Sequence, residues 1–199
     1  MHPNPAFRQE PDSRSLAFAR DRAFGTLIAG GAEPLLSHVP FLLSEDGATA
    51  EMHLVRSNPI ARAGGGAAIL AVAGPDAYVS PDWYGVADQV PTWNYVSVHL
   101  EGRAERMPAA DLREHLDRLS AAFETRLDKP PWTPAKMSAG VMERMMRSIL
   151  PVRIHVEEVR STFKLNQNKP DEVRHRAAGS VGRSVGSDLA ALAAMMRDA

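Results

Sequence analysis

The sequence contains no cysteine, and that absence removes disulfides, thiolate metal sites and cysteine nucleophiles together. No apolar run approaches the ~20 residues a membrane-spanning helix needs. The opening stretch MHPNPAFRQEPDSR has no apolar centre of the kind a secretory signal carries. These absences lead to the expectation of a soluble, cytoplasmic protein with no membrane partner. Charge of one sign is missing too. Lysine and arginine number 23 against 24 acidic residues, for a formal net charge of −1. Chains that bind phosphate backbones usually concentrate basic charge, so only a local basic patch remains open. The one GxSxG match, Gly182 to Gly186, lies in the tail and follows no expected strand, so it makes no nucleophile elbow; there is no GxxxxGK[ST] loop and no HxH, HxxxH or HExxH pair. A nucleophilic hydrolase, a P-loop nucleotidase and a metal site built on one element are all disfavoured. What is present is an ordinary globular composition, 44% hydrophobic and 24% charged over 199 residues. That suits one domain, or one domain with a small appendage.

The hydrophobic period changes along the chain. Asp12 or Ser13 can cap a first helix, with Leu16, Phe18 and Ala19 on its apolar side up to about Arg22. Phe24 to Ala29 reads as a strand, Gly30-Gly31 as a turn, and Glu33 to Leu43 as a second strand. After the Glu45 to Gly47 turn, Thr49 to Val55 is a third strand. Short strands joined by Gly-containing turns imply an antiparallel meander. Asn58-Pro59 opens a short helical turn that ends at Gly64 to Gly66. Ala67 to Ala73 is an apolar run flanked by glycines, as a strand buried on both sides would be. Gly74 to Val90 is expected to be a loop around a short strand at Ala77 to Ser80. A long strand should run from Trp93 to about Arg106, with Val96, Val98 and Leu100 on one face. Leu112, Leu116, Leu119 and Phe123 then define a helix, and Met137, Val141, Met145 and Ile149 another. Val152 to Leu165 reads as a last strand. The tail from Lys169 is expected to be helical near Asp188 to Met196, with Gly179, Gly182 and Gly186 weakening the rest. The pattern is α+β: a small antiparallel barrel with helices packed outside it.

Several clusters could bind something. His38, His53 and His99 lie on different expected strands and could converge, although hydrogen-bonded histidines are the commoner outcome. Gly64 to Gly66 precedes a strand, the wrong order for a dinucleotide fingerprint. Arg56-Ser57-Asn58-Pro59 follows a strand and opens a helix. Free N–H groups there, with an arginine and a hydroxyl, suit a phosphate, while a plain helix cap explains the same residues. Thr92, Trp93 and Asn94 put an aromatic beside a hydroxyl and an amide, a place to hold a flat heteroaromatic ring or simply to pack. Lys164, Asn166, Gln167 and Asn168 group a cation with three amides just after the last strand.

Taken in order, GTLIAGGAEPLLSHVPFLL, MHLVRSNP, GPDAYVSPDWYG, VPTWNYVSVHLEGR and FKLNQNKP resemble the landmarks of the PaiB-like FMN-binding transcriptional regulators, from about Asn4 to Pro170. The resemblance implies an antiparallel split β-barrel over residues 1–170 with a helical C-terminal tail over 171–199. It implies FMN bound at a homodimer interface, and negative transcriptional regulation linked to sporulation and degradative enzymes. Carried over, it places Ser37 and His38 near the flavin ring and His53, Arg56, Ser57 and Asn58 around the phosphate. Thr92, Trp93 and Asn94 would border the ring or ribityl chain, and Lys164, Asn166 and Gln167 would close the site, in one arrangement from the second subunit. No catalytic residue and no metal ligand is implied. The chain departs from the family pattern at Ser57, where Ala is common, at Ala61, where an aromatic is, at Asp76, where His is usual, and at Asn166, where Ser is common. A carboxylate at Asp76 would be unfavourable close to a phosphate or a reduced flavin. Whether the chain is an enzyme stays open. Its alternatives to a sensor are a flavin oxidoreductase using a reduced nicotinamide, or a repressor that touches DNA through Arg174, Arg176 and Arg183.

Overall fold

The computed structural model describes residues 1–30 and 33–199. The expected Gly30-Gly31 turn therefore has its second residue outside the described residues. In chain order the elements are α1 (Asp12–Arg22), β1 (Phe24–Ala29), β2 (Leu35–Pro40), β3 (Leu42–Leu43), β4 (Thr49–Val55), α2 (Pro59–Ala63), β5 (Gly65–Val79), β6 (Thr92–Arg106), α3 (Leu112–Glu124), α4 (Val141–Met146), β7 (Ile149–Lys164), α5 (Asp171–Val181), β8 (Gly186–Ser187) and α6 (Leu189–Asp198). The strands follow the order β2-β1-β5-β6-β7-β4-β3, and β8 adds to β5. None of the described helices is long and apolar enough to cross a membrane.

The chain divides into two compact units. The first comprises Met1–Phe18, Val72–His99 and Val159–Ala199; the second comprises Ala19–Ala71 and Leu100–Glu158. In the second unit β1 pairs antiparallel with β2, from Phe24↔Pro40 to Ala29↔Leu35, and with β5. Likewise β4 pairs with β7, from Thr49↔His155 to Val55↔Ile149. Alternation along β4 buries Ala50, Met52 and Leu54 on one face, the methionine and the leucine each contributing ~1.5–3 kcal/mol when fully removed from water. The opposite face carries Glu51 and His53, and α3 packs over β4. The buried residues of α3 are Leu112, His115 and Leu119. In the first unit α5 packs on α6, and β8 closes on β5 at Asp76↔Ser187. There Gly186 has φ 151°, and a Cβ would meet the Asp76 carbonyl at 2.1 Å, so this close approach requires glycine.

Four expectations are corrected by packing. The second strand does not run unbroken from Glu33 to Leu43. Phe41 turns its N–H to the Ala23 carbonyl at 2.9 Å and buries its ring completely, which separates β2 from β3. Residues 74 to 76 belong to β5 and are not a loop, so the short strand expected at Ala77 to Ser80 is the end of β5, which stops at Val79. Gly74 is there because a Cβ would strike Phe18 at 2.5 Å and Val96 at 2.8 Å, and close strand packing of this kind is easily mistaken for a break. The second amphipathic helix shrinks to α4, which starts after the left-handed Gly140, and Ile149 instead enters β7 opposite Val55. Finally, α5 forms straight through Gly179, a position with open space around it.

Candidate functional site

The second unit assembles the Arg56 to Pro59 block as its spacing predicts. Asn58 is an extended N-cap whose side-chain oxygen accepts from the Ile60 N–H at 2.9 Å, with Pro59 at the first helical position. Its amide nitrogen donates to the Ser37 hydroxyl on β2 at 3.1 Å, so two of the expected site residues meet across 21 positions of sequence. Arg56 is exposed and places its Nε 2.6 Å from the Arg147 carbonyl at the end of α4, where a cation complements the last free carbonyls of a helix. Ser57 is exposed beside it. His38 is also exposed. Its Nδ1 lies 3.0 Å from the Thr26 hydroxyl directly across the β1–β2 ladder, and its ring stacks on Phe24 with centroids 6.5 Å apart.

His53 is half-buried and turns to a residue that was not among the sequence candidates. Its Nδ1 lies 3.4 Å from Nε2 of His115, which has no solvent exposure. Burial, with His53 next to it, pushes the His115 pKa down to about 4. Burial lowers that of His53 too. Behind His115 sits Glu51, whose Oε1 accepts from Arg153 Nε at 3.0 Å and Nη2 at 2.6 Å, and whose Oε2 accepts from Arg118 Nη2 at 2.5 Å. Burial opposes the Glu51 charge, yet the hydrogen bonds from Arg153 and Arg118 outweigh it and hold this carboxyl below its usual range. The result is a polar chain, His53–His115–Glu51 with two arginines, beneath α3. A signal for it existed. His115 falls three residues after Leu112 and four before Leu119, on the same helical face as the apolar stripe.

The first unit gathers the other expected residues. Lys164 Nζ hydrogen-bonds the Thr92 hydroxyl and lies 6.0 Å from the centre of the Phe7 ring. Its half-burial lowers its pKa. Trp93 is 44% exposed, unusual for an aromatic that only packs. Asn94 is fully buried, its Nδ2 3.4 Å from the Met196 sulfur and its Oδ1 without a partner. Asn166 adopts φ 65°, a left-handed conformation that asparagine tolerates, and its buried side chain lies against the Tyr84 hydroxyl. The Gln167 amide is used locally, accepting from Leu165 N at 2.8 Å and donating to the Phe163 carbonyl at 2.5 Å. It staples the turn after β7. Asp76, the residue that departs from the family pattern, sits half-buried where β8 crosses β5.

Two further observations bear on function. The second unit holds a mainly apolar cavity of about 330 Å³ lined by Ile60, Ala61, Gly64, Gly66, Ala104 and Val152, and none of the expected cofactor residues faces it. In the tail, Arg174 is buried, donating to the Met196 carbonyl at 2.8 Å and pairing with Asp171 at 3.0 Å. Arg176 donates to the Tyr84 carbonyl at 2.8 Å and pairs with Glu172 at 2.6 Å.

Taken by itself, the second unit offers donors of the kind the phosphate of a flavin mononucleotide takes. There an exposed arginine and a hydroxyl at the start of α2 suit a phosphate, and the Ser37–Asn58 pair offers further polar groups. Comparison with known proteins identifies the family. Residues 1–158 match the family described as "Putative FMN-binding domain", so Lys164, Asn166 and Gln167 lie beyond the matched stretch. The protein named "Protease synthase and sporulation protein PAI 2" of Bacillus subtilis is 30% identical over 158 residues, covering 76% of this chain and 75% of that one. Among solved structures, the flavocytochrome Anf3 of Azotobacter vinelandii superposes with a TM-score of 0.58 at 16% identity, over 82% of this chain and 72% of that one. The FAD and heme binding protein of Mycobacterium smegmatis gives a TM-score of 0.58 at 16% identity, over 90% and 82%. Those likenesses show the fold, an antiparallel split barrel with outer helices. With the matched family covering most of its length, this chain belongs to the FMN-binding domain family, and its cofactor is a flavin.

Proposed function

We propose that the protein is a homodimeric FMN-binding sensor or transcriptional regulator of the PaiB type. The match of residues 1–158 to the FMN-binding family carries this reading, and the name of the Bacillus subtilis relative, which refers to protease synthesis and sporulation, gives its direction. Arg56 and Ser57 would hold the phosphate, with Asn58 and Ser37 fixing the loop between β4 and α2. Thr92, Trp93 and Lys164, supplied by the second subunit, would border the ring, while Asn166 and Gln167 shape the turn that carries Lys164. Bound flavin supplies two-electron redox chemistry. A half-buried ammonium near the ring would favour its reduced, anionic form.

Direct DNA contact through the tail is not part of this reading. Of the three tail arginines, Arg174 and Arg176 are engaged within the chain, which leaves them poorly placed to neutralise phosphates, and the exposed Arg183 is a single charge. The exposed Val90 and Trp93 do favour a second reading, an oxidoreductase that docks an apolar small substrate there. Oxidation of a reduced nicotinamide that depends on an added acceptor would distinguish it from a sensor.

Composite sites give a direct test. Arg56→Ala and Lys164→Ala should each abolish visible flavin absorbance in the purified protein. Mixing the two after refolding should restore about a quarter of the wild-type sites, because only mixed dimers carry an intact one. Absence of flavin uptake by the wild type would overturn the reading. Absence of complementation between variants that each fold would overturn the shared site.

A further inference from the structure

We infer that Glu51 and His115 are positioning residues that fix the tautomer of His53, so that its outer nitrogen, Nε2, is presented as a hydrogen-bond acceptor to a ligand hydroxyl. Only the identity of the ligand rests on the flavin reading; the tautomer follows from the polar chain alone.

The argument starts at Glu51. Its oxygens accept N–H groups from Arg153 and Arg118, so the carboxylate is ionised and can act only as an acceptor. Its Oε2 lies 3.9 Å from His115 Nδ1. That separation is too long for a hydrogen bond but short enough for charge to decide what faces it. A proton on Nδ1 turns a positive edge to the carboxylate, whereas a bare Nδ1 would set a lone pair against a negative charge. His115 is fully buried and its Nδ1 has no other partner. As a neutral ring it carries one proton, and that proton belongs on Nδ1. Its Nε2 is then bare, 3.4 Å from His53 Nδ1. Two bare nitrogens would repel, so His53 carries its own proton on Nδ1 and donates inward. Its Nε2 is left as a lone pair, on a half-buried ring, with no hydrogen-bond partner among the described residues. Carboxylate-to-histidine chains of this kind set ring orientation and tautomer at many sites.

This changes the role expected of His53. A bare nitrogen repels phosphate oxygens and accepts from hydroxyls, so His53 belongs with the polyhydroxylated linker of a nucleotide-like ligand and not with its phosphate.

Imidazole ¹⁵N NMR of the full-length protein at neutral pH, with and without FMN, reads the tautomers directly. Both His53 and His115 should appear as Nδ1–H tautomers in the wild type without FMN. In Glu51→Gln, checked for folding by its thermal transition, both should move toward a mixture. A wild-type His53 with its proton on Nε2 would overturn the inference, even if the variant fails to fold. Affinity gives a second arm. His53→Gln, which keeps an acceptor, should bind FMN about tenfold more tightly than His53→Lys, which offers only donors. If the lysine variant binds more tightly, His53 faces the phosphate and the ligand assignment is wrong. A wild type that shows the Nδ1–H tautomers yet takes up no FMN would overturn the flavin reading and leave the tautomer standing.

Discussion

At the scale of single residues, His115 makes stability depend on pH in a definite direction. A histidine in the unfolded chain takes up a proton near its ordinary value of 6.5, whereas buried His115 does so only near about 4. Between those values the unfolded state binds more protons, so stability is complete above pH 6.5 and is lost as the pH falls toward 4. The groups facing the ring are His53, Glu51 and Arg118. Depressed Glu51 adds a further loss, which begins below its ordinary value of 4.5. The His115 contribution is on the order of 3 kcal/mol. Urea denaturation across this range should show the loss, and His115→Phe should make it shallower above about pH 4.5, leaving the part that belongs to His53, whose pKa burial also lowers; an unchanged slope would show that His115 does not titrate as its burial demands. Some of this scale was legible beforehand. Ser37 and Asn58 were singled out from sequence and do meet in space. His115 was not, because an apolar stripe draws attention to its leucines and a polar residue on the same face reads as solvent-exposed until a partner such as Glu51 is seen behind it.

At the scale of elements, glycine separates what the sequence shows from what it hides. In β6, Gly102 has an ordinary backbone, but a Cβ there would lie 1.9 Å from the His155 carbonyl. Gly179, inside α5, has nothing within 4 Å. Gly102→Ala should therefore destabilise the protein by about 2–4 kcal/mol, since backbone and not a flexible side chain must yield. Gly179→Ala should stabilise it by about 0.5–1 kcal/mol by relieving the entropy cost of a helical glycine. Thermal midpoints moving in opposite directions would confirm both; shifts of the same sign would contradict one of them. Such glycines look alike in sequence, which is why the pattern places a loop from Gly74 and, although a helical tail is expected over 171–199, treats Gly179 as weakening it. Elements with a clean period needed no such knowledge. The 112–123 leucine spacing located α3, and the Val96, Val98 and Leu100 alternation located β6, because local spacing alone specifies which face turns inward.

At the scale of the whole molecule, the junctions between the two packed units fall inside regular elements and not in linkers. The chain passes from one unit to the other within α1, and again in the middle of β5, β6 and β7. Melting either unit would require breaking a ladder that continues past the junction. The prediction is a single cooperative transition. Tryptophan reports on it, since Trp83 and Trp93 lie in the first unit and Trp132 in the second. Variants that keep either the first pair or Trp132 alone, with phenylalanine elsewhere, should melt at the same temperature; separated midpoints would show independent folding. The same continuity has a practical side for anyone wishing to handle the protein in pieces. Neither half can be expressed by trimming an end, because the first unit is made of three separated stretches of chain and the second of two that alternate with them.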